Sequence, residues 1–333
     1  MLTQWYNHCR NFSINRPLYI LNQEDMLGNS ITRLGRRLLI PLLFVGLIAA
    51  IPAPVVQDPY WPNRMDIYIK DNLQDGMFHV CFQSIDNSFK QYYRNANLPI
   101  SSIDVIKFPI VYEVLWQVKR KELDLDKTVK ITADRIKQNK DGFFGPEDVG
   151  KEFTLEKVVE ASMVFNDNAA ANILLETVGY QRIVSRLRGK NLSNTYIRKP
   201  LVDSLKNERA GTTNFVTAGD MMHLMKRVRS EKKFKNKDWL MEQLKQNAQK
   251  NGAFGIKGGD VAGISENTRL SKGFIATVED SEQGSYYISM FVSNFTSESN
   301  GDKFLKDMIY IFNGGTIETD SMEVAKRLSY PKE

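Results

Sequence analysis

Cysteine and histidine are scarce in this 333-residue chain, and that scarcity excludes several kinds of function at the outset. The two cysteines, Cys9 and Cys81, lie on opposite sides of a long apolar run, so they cannot pair if that run crosses a bilayer. His8, His79 and His223 are far apart and share no ligand spacing. No metal is therefore expected, and each histidine reads as a surface or packing residue. There is no Gly-rich phosphate loop and no basic helix interleaved with aromatics, so neither a cofactor nor nucleic acid is an expected partner. What the chain does have is the composition of a globular protein, 42% hydrophobic and 25% charged, enough for one substantial core or two modest ones. Its net charge of +6 is unevenly spread, with Arg10, Arg16, Arg33, Arg36 and Arg37 near the start and a lysine-rich run from Lys232 to Lys237. A basic balance of this kind suits an anionic surface such as lipid headgroups or a cell-wall polymer, while the later run reads as an ordinary solvated face.

The long apolar run organises the N-terminal part. Residues 1–37 form a polar leader ending in Arg33-Leu-Gly-Arg36-Arg37, and Leu38–Val56 then carries no charge. At ~1.5 Å per residue this run reaches about 28 Å, close to the ~30 Å hydrocarbon core of a bilayer. The expectation is one transmembrane helix with the N-terminus cytoplasmic and the rest of the chain on the far side, because arginines precede the span and Asp58 follows it. A cleaved signal peptide, cut near Ala49-Ala50, is the alternative, for which the charged leader is long. Pro52, Pro54, Pro59 and Pro62 favour an extended spacer, placing a linker at 57–70, a main domain at 71–315 and a tail at 316–333.

From Asn63 a short helical pattern of Met65, Ile67, Ile69 and Leu73 leads into the domain, and strands are expected at Met77–Ile85 and Phe89–Tyr93. The stretch Pro99–Leu115 follows, in which Ile106, Ile110, Val111, Val114 and Leu115 predict a buried helix after Asp104. Leu123–Val149 breaks into loops and short strands. Helices are expected at Thr154–Val164 with Thr154 as N-cap, at Ala169–Val178, at Thr217–Val228 with a near capping box, and at Asp238–Lys250. Strands are expected at Gly255–Lys257, Leu270–Glu279 and Ser285–Asn294, an amphipathic helix at Gly301–Phe312, and one more helix at Thr319–Leu328. This order implies an α+β domain whose antiparallel sheet is built from both chain ends, with a helical lobe beside it.

Three short motifs stand in that order: Asp104-Val-Ile-Lys107 at the helix start, Asn166-Asp167-Asn168 between two helices, and Lys257-Gly258-Gly259 before the strands. From about Met77 to Phe312 the chain resembles the class A β-lactamases and penicillin-binding serine hydrolases, whose signatures are S-x-x-K, S-D-N and K-T-G. In that family a serine attacks a carbonyl, and a lysine one turn later handles its proton. The middle motif positions the leaving group, and the third lines an edge strand that docks the substrate carboxylate. Backbone N–H groups, including that of the nucleophile, hold the developing oxyanion. The resemblance thus implies a degenerate site at Asp104, Lys107, Asn166 and Asn168, with Lys257, Gly258 and Gly259 toward a ligand. The three hydroxyls are missing, because Asp104, Asn166 and Gly258 stand in their places. Nor does a glutamate fall where a deacylating residue is expected in Thr195–Arg209, whose acids are Asp203 and Glu208.

Asp104 beside Lys107 is expected to form an ion pair that quenches nucleophilicity, with Lys107, Asn168 and Lys257 forming a polar network around it. The reading is a membrane-anchored pseudoenzyme, a binding or scaffolding domain on the non-cytoplasmic face that could recognise a peptidoglycan-like or other anionic ligand. The alternatives are a structural subunit of a larger membrane complex and a hydrolase that uses the Asp104 carboxylate.

Overall fold

The computed structural model describes residues 61–317 apart from 73–76, 88–89, 103, 137–141, 199–200, 202–213, 232–235, 252–255, 257, 268–270, 282–283, 296 and 316. The expected span at 38–56 and the tail helix at 319–328 lie outside the described residues. No helix among those described is long and apolar enough to cross a membrane.

The described chain opens with α1 (Trp61–Asn72), β1 (Met77–Ser84), β2 (Gln91–Arg94), β3 (Ile100–Ser101) and α2 (Lys107–Lys119). A helical middle follows: β4 (Thr128–Lys130), α3 (Ala133–Ile136), β5 (Glu152–Thr154), α4 (Leu155–Val164), α5 (Asn168–Val178), α6 (Tyr180–Arg188), β6 (Phe215–Val216), α7 (Ala218–Ser230) and α8 (Lys237–Asn251). It closes with β7 (Gly258–Asn267), β8 (Ser271–Ser281), β9 (Gly284–Ser293) and α9 (Glu298–Phe312). The main sheet has the order β2-β1-β9-β8-β7 and is antiparallel throughout. The two chain ends therefore do meet in one sheet, with β1 on β9.

Strand alternation divides the core. Cys81, Ile264, Ile275 and Phe291 face the helical lobe of α2, α4, α5 and α7, whereas Val80, Phe274, Ile288 and Met290 face α1 and α9. Because β9 is covered on both sides, its sequence reads as a nearly unbroken apolar run. Helix α2 runs through the middle of the lobe and buries ten of its residues, as its apolar stretch predicts. Pro109 falls in its first turn, where no intrahelical N–H is lost.

Caps account for several helix starts. The Thr154 hydroxyl accepts from the Lys157 N–H at 3.3 Å, and the Asp167 carboxylate accepts from Ala170 at 2.6 Å. Thr217 caps α7 through the Asp220 N–H at 3.0 Å. The reciprocal half of the expected capping box is absent, since the Asp220 carboxylate accepts instead from the Asn194 N–H and the Thr195 hydroxyl, both at 2.9 Å.

Three expectations are corrected. The short helix expected from Met65, Ile67 and Ile69 is present as α1, and since it buries Met65 and Tyr68 against α9 the folded unit begins before the expected boundary at 71. Pro62 is tolerated there because it sits at the helix start. Helix α6 was not anticipated, although Tyr180, Ile183 and Leu187 stand at helical spacing along it. The strand expected at Gly255–Lys257 instead begins at Gly258 and continues to Asn267, its period hidden by glycines and the polar run Ser265-Glu266-Asn267.

Candidate functional site

The site is built where the start of α2 meets the end of β7. Ser102 lies one turn before α2, and its hydroxyl accepts from the Ile106 N–H at 3.1 Å, which shapes the helix start. The same hydroxyl donates to Glu266 Oε2 at 2.6 Å, a short charge-assisted bond. That oxygen also accepts from the backbone N–H groups of Asp104 at 3.2 Å and Val105 at 3.0 Å. Glu266 is fully buried, and the dipole of α2 favours a negative charge at this end.

Asp104 is itself satisfied on both oxygens. Oδ1 accepts from Lys107 Nζ at 3.1 Å and Oδ2 from the Asn267 N–H at 3.1 Å. The expected ion pair is thus present, and both partners are buried, at 6% and 0% exposure for Asp104 and Lys107. Lys107 has three N–H donors, and the other two go to the Asn166 backbone carbonyl and to Asn166 Oδ1, each at 2.6 Å. Asn166 can present both oxygens to one ammonium because it adopts a left-handed backbone, φ 57°, which asparagine tolerates better than most residues. With all three N–H groups engaged, the lysine has no donor left for a ligand.

The structure therefore brings together Asp104, Lys107 and Asn166 of the expected site. Of the other expected members, Asn168, Gly258 and Gly259 make no hydrogen bond in this network among the described residues. Asn168 is the first residue of α5, and its amide oxygen is buried without a hydrogen-bond partner, outside the Asp104 network. The middle residue, Asp167, is structural: besides capping α5 it accepts from the Phe144 N–H at 2.9 Å, tying the 142–145 turn to the helix. Lys257 lies outside the described residues, as do Asp203 and Glu208. Gly258 and Gly259 are described, and they sit at the opposite end of β7 from Asn267, nine residues and so about 30 Å away. Their role there is conformational. Gly259 has φ +75°, and a Cβ on it would lie 2.5 Å from the Glu279 carbonyl oxygen, beside an irregular stretch of the β8 register. The third-motif position beside Asp104 is instead filled by Glu266 and Asn267.

Ser102, Glu266 and Asn267 are thus the site residues that sequence reasoning missed. A signal was available, since Ser265-Glu266-Asn267 is a polar run immediately before the turn into an apolar strand, where an edge strand would reach the start of α2.

Comparison with known proteins gives a consistent result. A family model described as the beta-lactamase enzyme family matches residues 64–308. Among solved structures, a β-lactamase from Sphaerobacter thermophilus DSM 20745 superposes with a TM-score of 0.65 at 15% identity, covering 75% of this chain and 95% of that one. The protein PBP-A gives 0.66 at 17% identity, with 76% and 95% covered. A β-lactamase from Chitinophaga pinensis DSM 2588 gives 0.65 at 19% identity, with 76% and 98% covered. At such identities the likeness is one of fold. No curated protein matches the sequence.

Proposed function

The chain belongs to the beta-lactamase enzyme family, and from that premise we propose that it is a member retired from acyl transfer, serving as a binding or scaffolding domain held on the non-cytoplasmic face of a membrane by residues 38–56. The observation that carries this reading is the complete internal satisfaction of the site. The residue-104 N–H, which in the family's chemistry would meet a developing oxyanion, is donated to Glu266. The residue-107 ammonium is spent on Asp104 and Asn166, and the side chain at the nucleophile position is an ion-paired carboxylate. That arrangement has no hydroxyl at the nucleophile position and no free N–H at residue 104.

One relative in fold is recorded as an acyl-enzyme with penicillin G, so a penicillin is the informative probe. After incubation of the full-length chain with a labelled penicillin, intact-mass spectrometry is expected to find no covalent adduct. An adduct on any residue from Asp104 to Lys107 would overturn the reading and favour a hydrolase that uses the Asp104 carboxylate. Equilibrium binding to peptidoglycan fragments separates a sensing role from a scaffold, because a scaffold within a membrane complex requires no such binding. Membrane attachment is tested by fractionating cells that express the chain with and without residues 1–56.

A further inference from the structure

The opposite end of α2 carries a second constellation. A cavity of about 370 Å3 opens between the C-terminal turn of α2 and the outward side of α6, a volume in the range of small-molecule sites. Its acids are already committed. Glu113 is buried, with Arg186 Nε donating to Oε2 at 2.6 Å and Gln117 Nε2 to Oε1 at 3.0 Å. The Glu122 carboxylate is shared by two other arginines, Arg120 Nε at 2.7 Å from Oε1 and Arg182 Nη1 at 2.5 Å from Oε2.

Unspent hydrogen-bonding capacity remains around the cavity. Arg120, Arg182, Gln181 and Ser185 line it, and apart from the contacts to Glu122 their side-chain donors are held by no other hydrogen bond among the described residues. Further positive charge stands close by. The Trp116 ring carries Lys119 at 3.9 Å, Arg186 at 4.9 Å and Lys190 at 5.2 Å from its centroid.

We propose that this cleft binds a small anionic ligand, whose phosphate or carboxylate group takes the place of the Glu122 carboxylate between Arg120 and Arg182. Guanidinium forks match such oxyanions in shape as well as charge, and Gln181 and Ser185 supply the neutral contacts. A pair of arginines converging on one carboxylate in a concave wall, with donors left over, already holds an internal stand-in for the ligand. Glu122 can leave because it is on the loop that follows α2, and its arginine partners are about three-fifths exposed, so the resident pairs are weak. This proposal does not depend on the reading of the Asp104 site.

The test is calorimetric titration of the full-length chain at low ionic strength, where screening is weak, with inorganic phosphate and acetate as separate probes. Saturable binding of at least one is expected, and the preferred probe identifies the ligand group. Arg182→Gln should weaken it by about tenfold, the value of a charge-assisted contact. Lys306→Gln, the same change of charge on the exposed side of α9, should leave it unaltered. Glu122→Gln should tighten binding several-fold, an outcome that a merely structural ion pair does not produce. The proposal is overturned if neither probe binds wild type or Glu122→Gln, or if Lys306→Gln costs as much as Arg182→Gln. Melting curves of each variant verify that it is folded.

Discussion

The two ends of α2 handle charge in opposite ways. At the N-terminal end, Asp104, Lys107 and Glu266 are buried, and their bonds close on one another and on nearby backbone. At the C-terminal end, some 20 Å along the helix, Arg120 and Arg182 are largely exposed, share one carboxylate and keep donors free. Buried charge is costly unless every partner is present, so removing any one member of the first arrangement is strongly destabilising. Exposed charge is cheap to rearrange, so the second contributes little to stability and stays available for binding. The two ends of one helix thus carry a buried charge cluster and an exposed one.

The contrast can be broken by mutation. Lys107→Met strands the Asp104 carboxylate in the interior, and it should cost about 3–5 kcal/mol in denaturant unfolding. Adding Asp104→Asn should recover a good part of that loss, and a single variant as stable as wild type would show that the N-terminal end is not a locked network. Glu266→Ala removes the acceptor of the Ser102 hydroxyl and of two backbone N–H groups. It should cost about 3 kcal/mol by the same measurement.

Asp104→Ser restores a hydroxyl but leaves Glu266 on the residue-104 N–H and Lys107 on Asn166. No penicillin adduct is expected by mass spectrometry, and rapid acylation of this single variant would mean that the internal bonds yield readily to substrate.

A smaller effect comes from pH. His79 is buried in β1, and desolvation holds its pKa below the ordinary value, against the opposing pull of the Asn95 and Leu98 backbone. A depressed histidine contributes stability that is present above about pH 6.5, the unfolded value, and is lost as pH falls through the folded one. Melting temperature should therefore decline below about pH 6.5, and His79→Gln should make that decline shallower; an unchanged slope would assign it to other groups. At the other end of the contrast, Arg182→Gln should change stability by no more than about 0.5 kcal/mol, and a loss comparable to that of Lys107→Met would mean that the cleft, too, is structural.

Much of the fold was legible in the residues. The helix after Asp104, the threonine caps at 154 and 217, and the apolar strand that became β9 follow from local chemistry and period, which tertiary contacts reinforced. Helix α6 was equally legible, since Tyr180, Ile183 and Leu187 fall at helical spacing on one face. Strand β7 escaped because Gly258, Gly259 and Gly263 dilute its alternation, and the lysine-glycine-glycine tripeptide at its start looked like a ligand motif. Its second glycine is demanded by backbone geometry against Glu279.

The sequence by itself determined that an aspartate and not a serine stands one turn before Lys107 and that Asn166 opens the middle motif, because residue identity alone decides which nucleophiles exist. It also placed Lys107 one turn after Asp104 on the same helix, which is enough to predict their pairing. Only the tertiary structure decided what sits opposite them. Whether Glu266 or Gly258 faces residue 104 depends on the register of an edge strand more than 150 positions away, and a strand's far end lies some 30 Å from its near one. No local pattern carries that register, because it is set by how β7 pairs with β8 and packs beneath the start of α2.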